Sequence, residues 1–185
     1  MKLLNTLLTV LLITLIPSLG WSTPFDDLVE RDGVYYPKFS DVPFTGEVTG
    51  KSQGSLKNGK KDGDWVIYHD NGQLKSRGNY KNGKNDGDWV RYYDDGQLRG
   101  KDNYKNGELE GTSFSYFDNG QLWYSGTYKN GKKNGDWLYY FGNGQLWNKG
   151  RYINGKKEGI WDSSNFFGQP TDESGTYKNG VKISD

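Results

Sequence analysis

The segment GKKDGDWVIYHDNGQLKSRGNYKNG, Gly59 to Gly83, returns three times downstream with few changes, so the chain has to fold as a row of like units. Asn58, Asn82, Asn106, Asn130 and Asn154 open successive units of 24 residues, each followed by glycine. Gly63, Gly87, Gly111, Gly135 and Gly159 follow five places on. Trp65, Trp89, Trp137 and Trp161 form a column broken only by Ser113. Tyr68, Tyr92, Tyr116 and Tyr140 come next, then NGQL or DGQL ending at Leu74, Leu98, Leu122 and Leu146. Tyr80, Tyr104, Tyr128 and Tyr152 close the units.

Within a unit, DWVIYH places Trp65, Ile67 and His69 on one side and Val66 and Tyr68 on the other. That alternation is the period of a strand, and aromatic and β-branched residues suit it. Asn71-Gly72, with its counterparts Asp95-Gly96, Asn119-Gly120 and Asn143-Gly144, reads as a tight hairpin turn in which both residues tolerate positive φ. A second turn at Asn82-Gly83 then leads through a short polar loop to Gly87 and the next Trp. Each unit is therefore one hairpin, and because an isolated hairpin is marginal in water, neighbours must stack. The expected class is all-β, an elongated, twisted antiparallel array of stacked hairpins. Val66, Val90, Phe114 and Leu138, with the Tyr68 and Leu74 columns, read as its internal seam. The Trp65 column has the opposite parity, although glycines before it let neighbouring backbones approach.

The ends are irregular. Leu56, Asn58 and Gly59 are in register with Tyr80, Asn82 and Gly83, but the stretch before them is short, a truncated unit beginning near Pro43. At the far end Ser164 and Pro170 break the pattern, and Tyr177 follows Tyr152 by 25 residues. Pro170, Asp172 and Glu173 resemble a cap that discourages further stacking. The expected organisation is residues 1–22 as a signal peptide, 23–42 as an N-terminal extension or cap, and 43–180 as the repeat domain. Its units start near 58, 82, 106 and 130, a divergent one follows from 154, and residues 181–185 form a tail.

The leader expectation rests on Lys2, the apolar run from Leu3 to Ile16, and the small residues Ser18, Gly20 and Ser22, with cleavage after Gly20 or Ser22. The run is short of the ~20 apolar residues of a stable span, so no lasting membrane insertion is expected after cleavage, and the destination is the periplasm or the medium. Cysteine is absent, which rules out disulfide staples and a cysteine-linked lipid anchor. Without Lys2 the chain holds 23 basic and 23 acidic residues, finely mixed. A neutral surface offers no footprint for nucleic acid. With 32% hydrophobic but 16% aromatic residues, the buried area has to come largely from rings.

Tyr80, Gly83, Gly87, Trp89, Tyr92, Gly96, Gln97 and Leu98 resemble the MORN repeat group in its YxxGxxxGxW…NGQL variant, over roughly Pro43 to Gly180. The chain departs from the more familiar YxGxxxxGxxxGxG form by one extra residue between tyrosine and glycine, and by Trp89 where that form often has glycine. The resemblance implies a hairpin solenoid acting as a scaffold or binding module. Membrane and phosphoinositide roles of some members do not carry over to an exported soluble array, nor does an antitoxin role against a cytosolic target.

Chemistry is thinly represented. His69 is the one histidine and occupies the slot of Tyr93, Phe117 and Phe141, an aromatic filler. Asp62-Asp64 and Asp86-Asp88 sit beside lysines, where like surroundings do not separate two carboxyl pKa values for acid–base work. Neither a metal site nor a phosphate loop is formed by spacing, so the expectation is a non-enzymatic module without cofactor. The candidate contact residues are Trp123, Tyr124 and Trp147, because Trp123 and Trp147 replace Arg99 of the preceding unit one repeat apart. The expected partner is an envelope or extracellular protein. The alternative is a cell-wall or polysaccharide platform, and a purely packing role beneath the Trp137 layer also fits the parity.

Overall fold

The computed structural model describes residues 22–185; the leader expected over 1–22 lies, apart from Ser22, outside them. Three short strands come first, β1 (Thr23–Pro24), β2 (Leu28–Arg31) and β3 (Val34–Pro37). The truncated unit gives β4 (Gly46–Thr49) and β5 (Ser52–Lys57). Full units follow as β6 (Lys60–Tyr68) with β7 (Leu74–Lys81), β8 (Lys84–Tyr92) with β9 (Leu98–Lys105), and β10 (Glu108–Tyr116) with β11 (Leu122–Lys129). The fourth has β12 (Lys132–Lys133), β13 (Gly135–Tyr140) and β14 (Leu146–Ile153). The chain goes on through β15 (Lys156–Ser163), β16 (Gly175–Lys178) and β17 (Val181–Ser184). All but β2 and β3 belong to one 15-stranded sheet in which strands that follow in sequence lie side by side, except that β12 and β13 both pair with β11. Every pairing in it is antiparallel except that of β1 with β4.

The two Asn-Gly turns of a unit differ. At Asn82-Gly83 both residues have positive φ, 51° and 80°, between paired Lys81 and Lys84. This is the two-residue turn whose twist matches the flanking strands. At Asn71-Gly72 only glycine is left-handed. The His69 N–H donates to Gln73 O, the Gly72 N–H donates to His69 O, and Asn71 Oδ1 accepts from the Gln73 N–H. That is a three-residue loop closed by a left-handed glycine. The tight turn is thus the other one of the pair expected, because the Asn71 side chain caps its own loop. The polar loop expected after Asn82-Gly83 is strand instead: β8 starts at Lys84, and left-handed Gly87 absorbs a bulge between Arg77↔Val90 and Asn79↔Asp86.

The larger correction concerns the seam. Trp65 is 0% exposed and Trp137 and Trp161 are 1% exposed, whereas Val66, Val90, Phe114 and Leu138 are only half-buried. The reason is a row crossing the sheet in which glycine and tryptophan alternate. Trp65 is paired with Gly54 on one side and Gly78 on the other, and Trp137 with Gly150. A Cβ on Gly78, Gly126 or Gly150 would lie 2.2–2.3 Å from the indole of Trp89, Trp137 or Trp161. Each ring thus occupies the volume its neighbour's missing side chain leaves. Each indole N–H also donates 3.1 Å to a backbone carbonyl ten residues back: Ser55, Asn79, Thr127 and Arg151. A buried Trp needs such a partner. Tyr80, Tyr128 and Tyr152 meet these indoles edge-on, and Lys61, Lys133 and Lys157 lie 4.5 Å above Trp65, Trp137 and Trp161.

One rung is polar. Where glycine and tryptophan belong, the second full unit has Asp102 and the third has Ser113, directly paired. Asp102, 5% exposed, accepts from the Ser113 hydroxyl and bonds Arg91 at 2.5 Å. Loss of the ring and gain of the carboxylate thus go together.

The acidic residues are structural. Asp62, Asp86, Glu110 and Glu158 accept the N–H of Asn82, Asn106, Asn130 and Asn179, holding the tight turn one unit on, and Thr45 does the same for Asn58. Asp64 accepts from Asn79, and Asp88 from Asn103 and Lys101.

At the start, Phe25 packs on Tyr35 and Trp65 while β3 bonds the Gly59 carbonyl, so the leading hairpin covers the first rung. At the other end the sheet does not stop at Pro170 or Gly180. β16 pairs with β15 and Val181–Ser184 adds a last strand, because Thr176–Lys178 resumes the repeat after the longer connection.

Gly126→Ala is expected to cost about 1–3 kcal/mol, the range for overpacking, while Gly142→Ala, whose Cβ would meet only Asn119 at 4.0 Å, leaves the melting temperature unchanged. In the polar rung, Ser113→Trp drives an indole onto Asp102 and Asp102→Gly strips Arg91 and Ser113 of their acceptor. The double variant should be more stable than the two losses add up to, by ~0.5–3 kcal/mol in a thermal-melt cycle.

A third expectation concerns alkali. Burial first, then the Glu30 carboxylate, raises the Tyr35 phenol to about 12 from 10.0; burial first, then neighbouring Tyr124, does the same for Tyr128. Burial also raises Tyr80, Tyr104, Tyr139 and Tyr152. A phenol that holds its proton more tightly when folded contributes stability that is complete below pH 10.0 and is lost as pH rises through the folded value. Burial pushes the Lys61 and Lys133 ammoniums down, which works in the opposite sense for two groups against six. Melting temperature should therefore fall between pH 10.0 and about 12.

Candidate functional site

Trp123 and Trp147 stand at one recurring irregularity. In each unit the register jumps beside the residue after the leucine: Ser115 pairs with Tyr124 and Tyr116 with Leu122, leaving Trp123 as the extra residue, and Tyr139↔Asn148 with Tyr140↔Leu146 does the same for Trp147. A bulge residue is released from the pleat and re-aimed. Simple parity put these two rings under cover in the Trp137 layer; the bulge leaves them at its rim, 43% and 38% exposed, with Trp123 5.3 Å from Tyr124 and Trp147 6.0 Å from Tyr139.

Each leans on the aromatic residue that begins its own loop. Phe117 lies 5.8 Å from Trp123 and Phe141 6.0 Å from Trp147, while Phe166 is 5.7 Å from Phe141 and 6.0 Å from the exposed Phe167. Successive hairpins are two strand spacings apart, about 10 Å. One margin of the sheet thus carries a row of rings in its last three loops. In the first two loops the same places hold His69 with Lys75 and Tyr93 with Arg99. There His69 Nε2 donates to Tyr92 O and the Tyr93 hydroxyl to Tyr116 O, so the aromatic slot ties one loop to the next unit.

Tyr124 is a different case. It stacks on Trp137 at 5.8 Å and 22°, pairs with Tyr139 and is half-buried. It touches Trp123 edge-on at 5.3 Å, so it supports that ring from the tryptophan face while sharing little of its exposure.

Residue-type reasoning passed over Asn148. It is 5% exposed, stands in the column of Ser76, Gly100 and Tyr124, and donates to Glu173 at 3.1 Å. Its Oδ1 has no hydrogen-bond partner among the described residues. Leaving a buried acceptor unpaired costs about 1–3 kcal/mol. No pattern of residue types marks this position; only the burial does.

Among the described residues no three His, Cys, Asp or Glu side chains converge as metal ligands. No helix among them is long and apolar enough to cross a membrane. A hollow of ≈ 500 Å³ between the hairpins of Trp65 and Val90 has its carboxylates Asp64 and Asp88 bound by Asn79, Asn103 and Lys101.

Comparison with known proteins agrees with this architecture. The family model described as MORN repeat variant matches residues 61–82, 85–106, 109–130 and 133–154. No curated protein matches the chain in sequence. Among solved structures, the GtfA/B complex bound to UDP and GlcNAc is similar over 83% of this chain at 14% identity and a TM-score of 0.19, a likeness too slight to bear on fold or function. The chain spans 31% of the length of that protein. With matched units following one another from residue 61 to 154 on a single continuous sheet, the chain belongs to the MORN repeat variant family.

Proposed function

We infer that the protein is exported and serves in the cell envelope as a scaffold that docks another envelope or extracellular protein through the aromatic margin built on Trp123 and Trp147. The observation that carries the reading is the division of labour among the tryptophans. Four are buried in the glycine-paired row, while these two stand exposed beside Phe117, Phe141 and Phe166 at one margin. Large rings held rigidly at a surface are what dominates binding energy at protein interfaces, because they cover much area for little lost rotamer freedom. Confinement of the row to the last three loops gives the partner a direction along the array. The leader pattern at Lys2 to Ser22 supports export.

The test is capture from cell-envelope extracts by the mature protein, its mass first checked for loss of 20 or 22 residues. Trp123→Ala with Trp147→Ala is expected to abolish capture of the partner and leave the array folded. Trp137→Ala should instead unfold its rung at a cost of ~3–5 kcal/mol. Capture that survives in the folded double variant overturns the docking reading, and a full-length cytosolic protein overturns export.

A further inference from the structure

Behind Trp147, on the tryptophan face, a hollow of ≈ 250 Å³ is closed at the far side by the connection that precedes β16. Trp147, Tyr139, Tyr152 and Trp161 form its walls, and Asn148 and Glu173 meet within it. Two ammoniums reach it. Lys157 lies 3.6 Å from the Glu173 carboxylate; Lys133 donates to the Tyr139 hydroxyl at 2.6 Å and has no carboxylate partner among the described residues. Burial pushes the Lys133 ammonium down, as expected of a cation held over the Trp137, Tyr139 and Tyr152 rings without a counter-charge.

The hollow belongs to this end of the array alone. Where Tyr139 stands, the other units have Ile67, Arg91, Ser115 and Ser163, and Glu173 comes from the stretch that departs from the repeat. That stretch, expected from sequence to stop the stacking, is instead the outer wall of a pocket.

The geometry points to a binding site for a single acidic sugar ring in this hollow, its carboxylate facing Lys133 and its hydroxyls meeting the Asn148–Glu173 pair. Three features select that class. Ring walls suit the flat apolar faces of a sugar, and fixed polar groups between them suit its hydroxyls. The volume lies below the ~300–1,000 Å³ of drug-sized sites, too small for a nucleotide. Two ammoniums against one carboxylate leave a net positive charge, and Lys133, which has no carboxylate partner among the described residues, lines the same walls as the Asn148–Glu173 pair. This goes beyond the docking of a protein partner, with which it shares only Trp147.

The experiment is a titration of the folded protein with D-glucuronate and, in parallel, D-glucose, followed by NMR of the indole N–H and side-chain amide resonances. D-glucuronate is expected to shift Trp147, Trp161 and Asn148 with a Kd of about 1–10 mM, in the range of a few good contacts, and D-glucose to bind at least about tenfold more weakly, a step of 1.4 kcal/mol. Asn148→Leu should abolish the shifts without lowering the melting temperature. Lys133→Met, which keeps the stem over the rings and removes the charge, should bring D-glucuronate down to the level of D-glucose. Trp123→Ala, which tests the docking margin, should leave sugar binding intact. Absence of shifts, equal binding of the two sugars, shifts centred on Trp123, or unchanged binding in both Asn148→Leu and Lys133→Met would each overturn the proposal.

Discussion

Everything in the array depends on an indole lying over a glycine of the next strand. A tryptophan on a bare sheet would stand out into solvent. Against Gly54, Gly78, Gly126 or Gly150 it settles onto backbone, buries both its faces and still reaches a carbonyl with its N–H. The contact is made between neighbouring units, since the glycine belongs to the strand before the tight turn and the tryptophan to the strand after it. No unit therefore completes its own core. This is how a chain so poor in aliphatic residues holds a sheet together: a few large rings, each shared between hairpins, replace a broad apolar layer.

The polar rung shows how firm the coupling is. Asp102 and Ser113 depart from the pattern together, and Arg91 then stands where its column has Ile67 and Tyr139. A buried carboxylate is tolerable when it is bonded on both oxygens, and here it is. The exchange replaces shape complementarity by charge and hydrogen bonding; Trp89↔Asp102 pairs as Trp65↔Gly78 does, while on the other side Asp102 pairs directly with Ser113 and the register shift widens to Leu109–Ser113.

Hairpins, period and family resemblance were legible in the residues because they depend on local chemistry: Asn-Gly turns, alternation and a fixed spacing. What escaped depends on register between strands. Parity along DWVIY gives two faces but no preference between them, and only the pairing of Trp65 with Gly54 and Gly78 shows which one can close. The two Asn-Gly turns look alike in sequence; the capping bond from Asn71 to Gln73 separates them. The bulge that releases Trp123 and Trp147 is likewise a matter of pairing, so the two residues could be chosen by eye while their exposure, and the withdrawal of Tyr124 to the other face, could not. Asn148 was beyond reach, since its interest lies in an oxygen without a partner and not in its residue type.

The bonds that hold the tight turns have a polarity. In each of them the acceptor belongs to the earlier unit and the donor to the later: Asp62 for Asn82, Asp86 for Asn106, Glu110 for Asn130, and the carbonyls of Lys61, Asn85 and Leu109 for the glycines beside them. A chain that appears amino end first meets, at every new turn, a template already in place. The array can then be laid down vectorially, like courses of brick, with loop closures no longer than a single unit, and an all-β protein escapes the slow long-range search usual for its class.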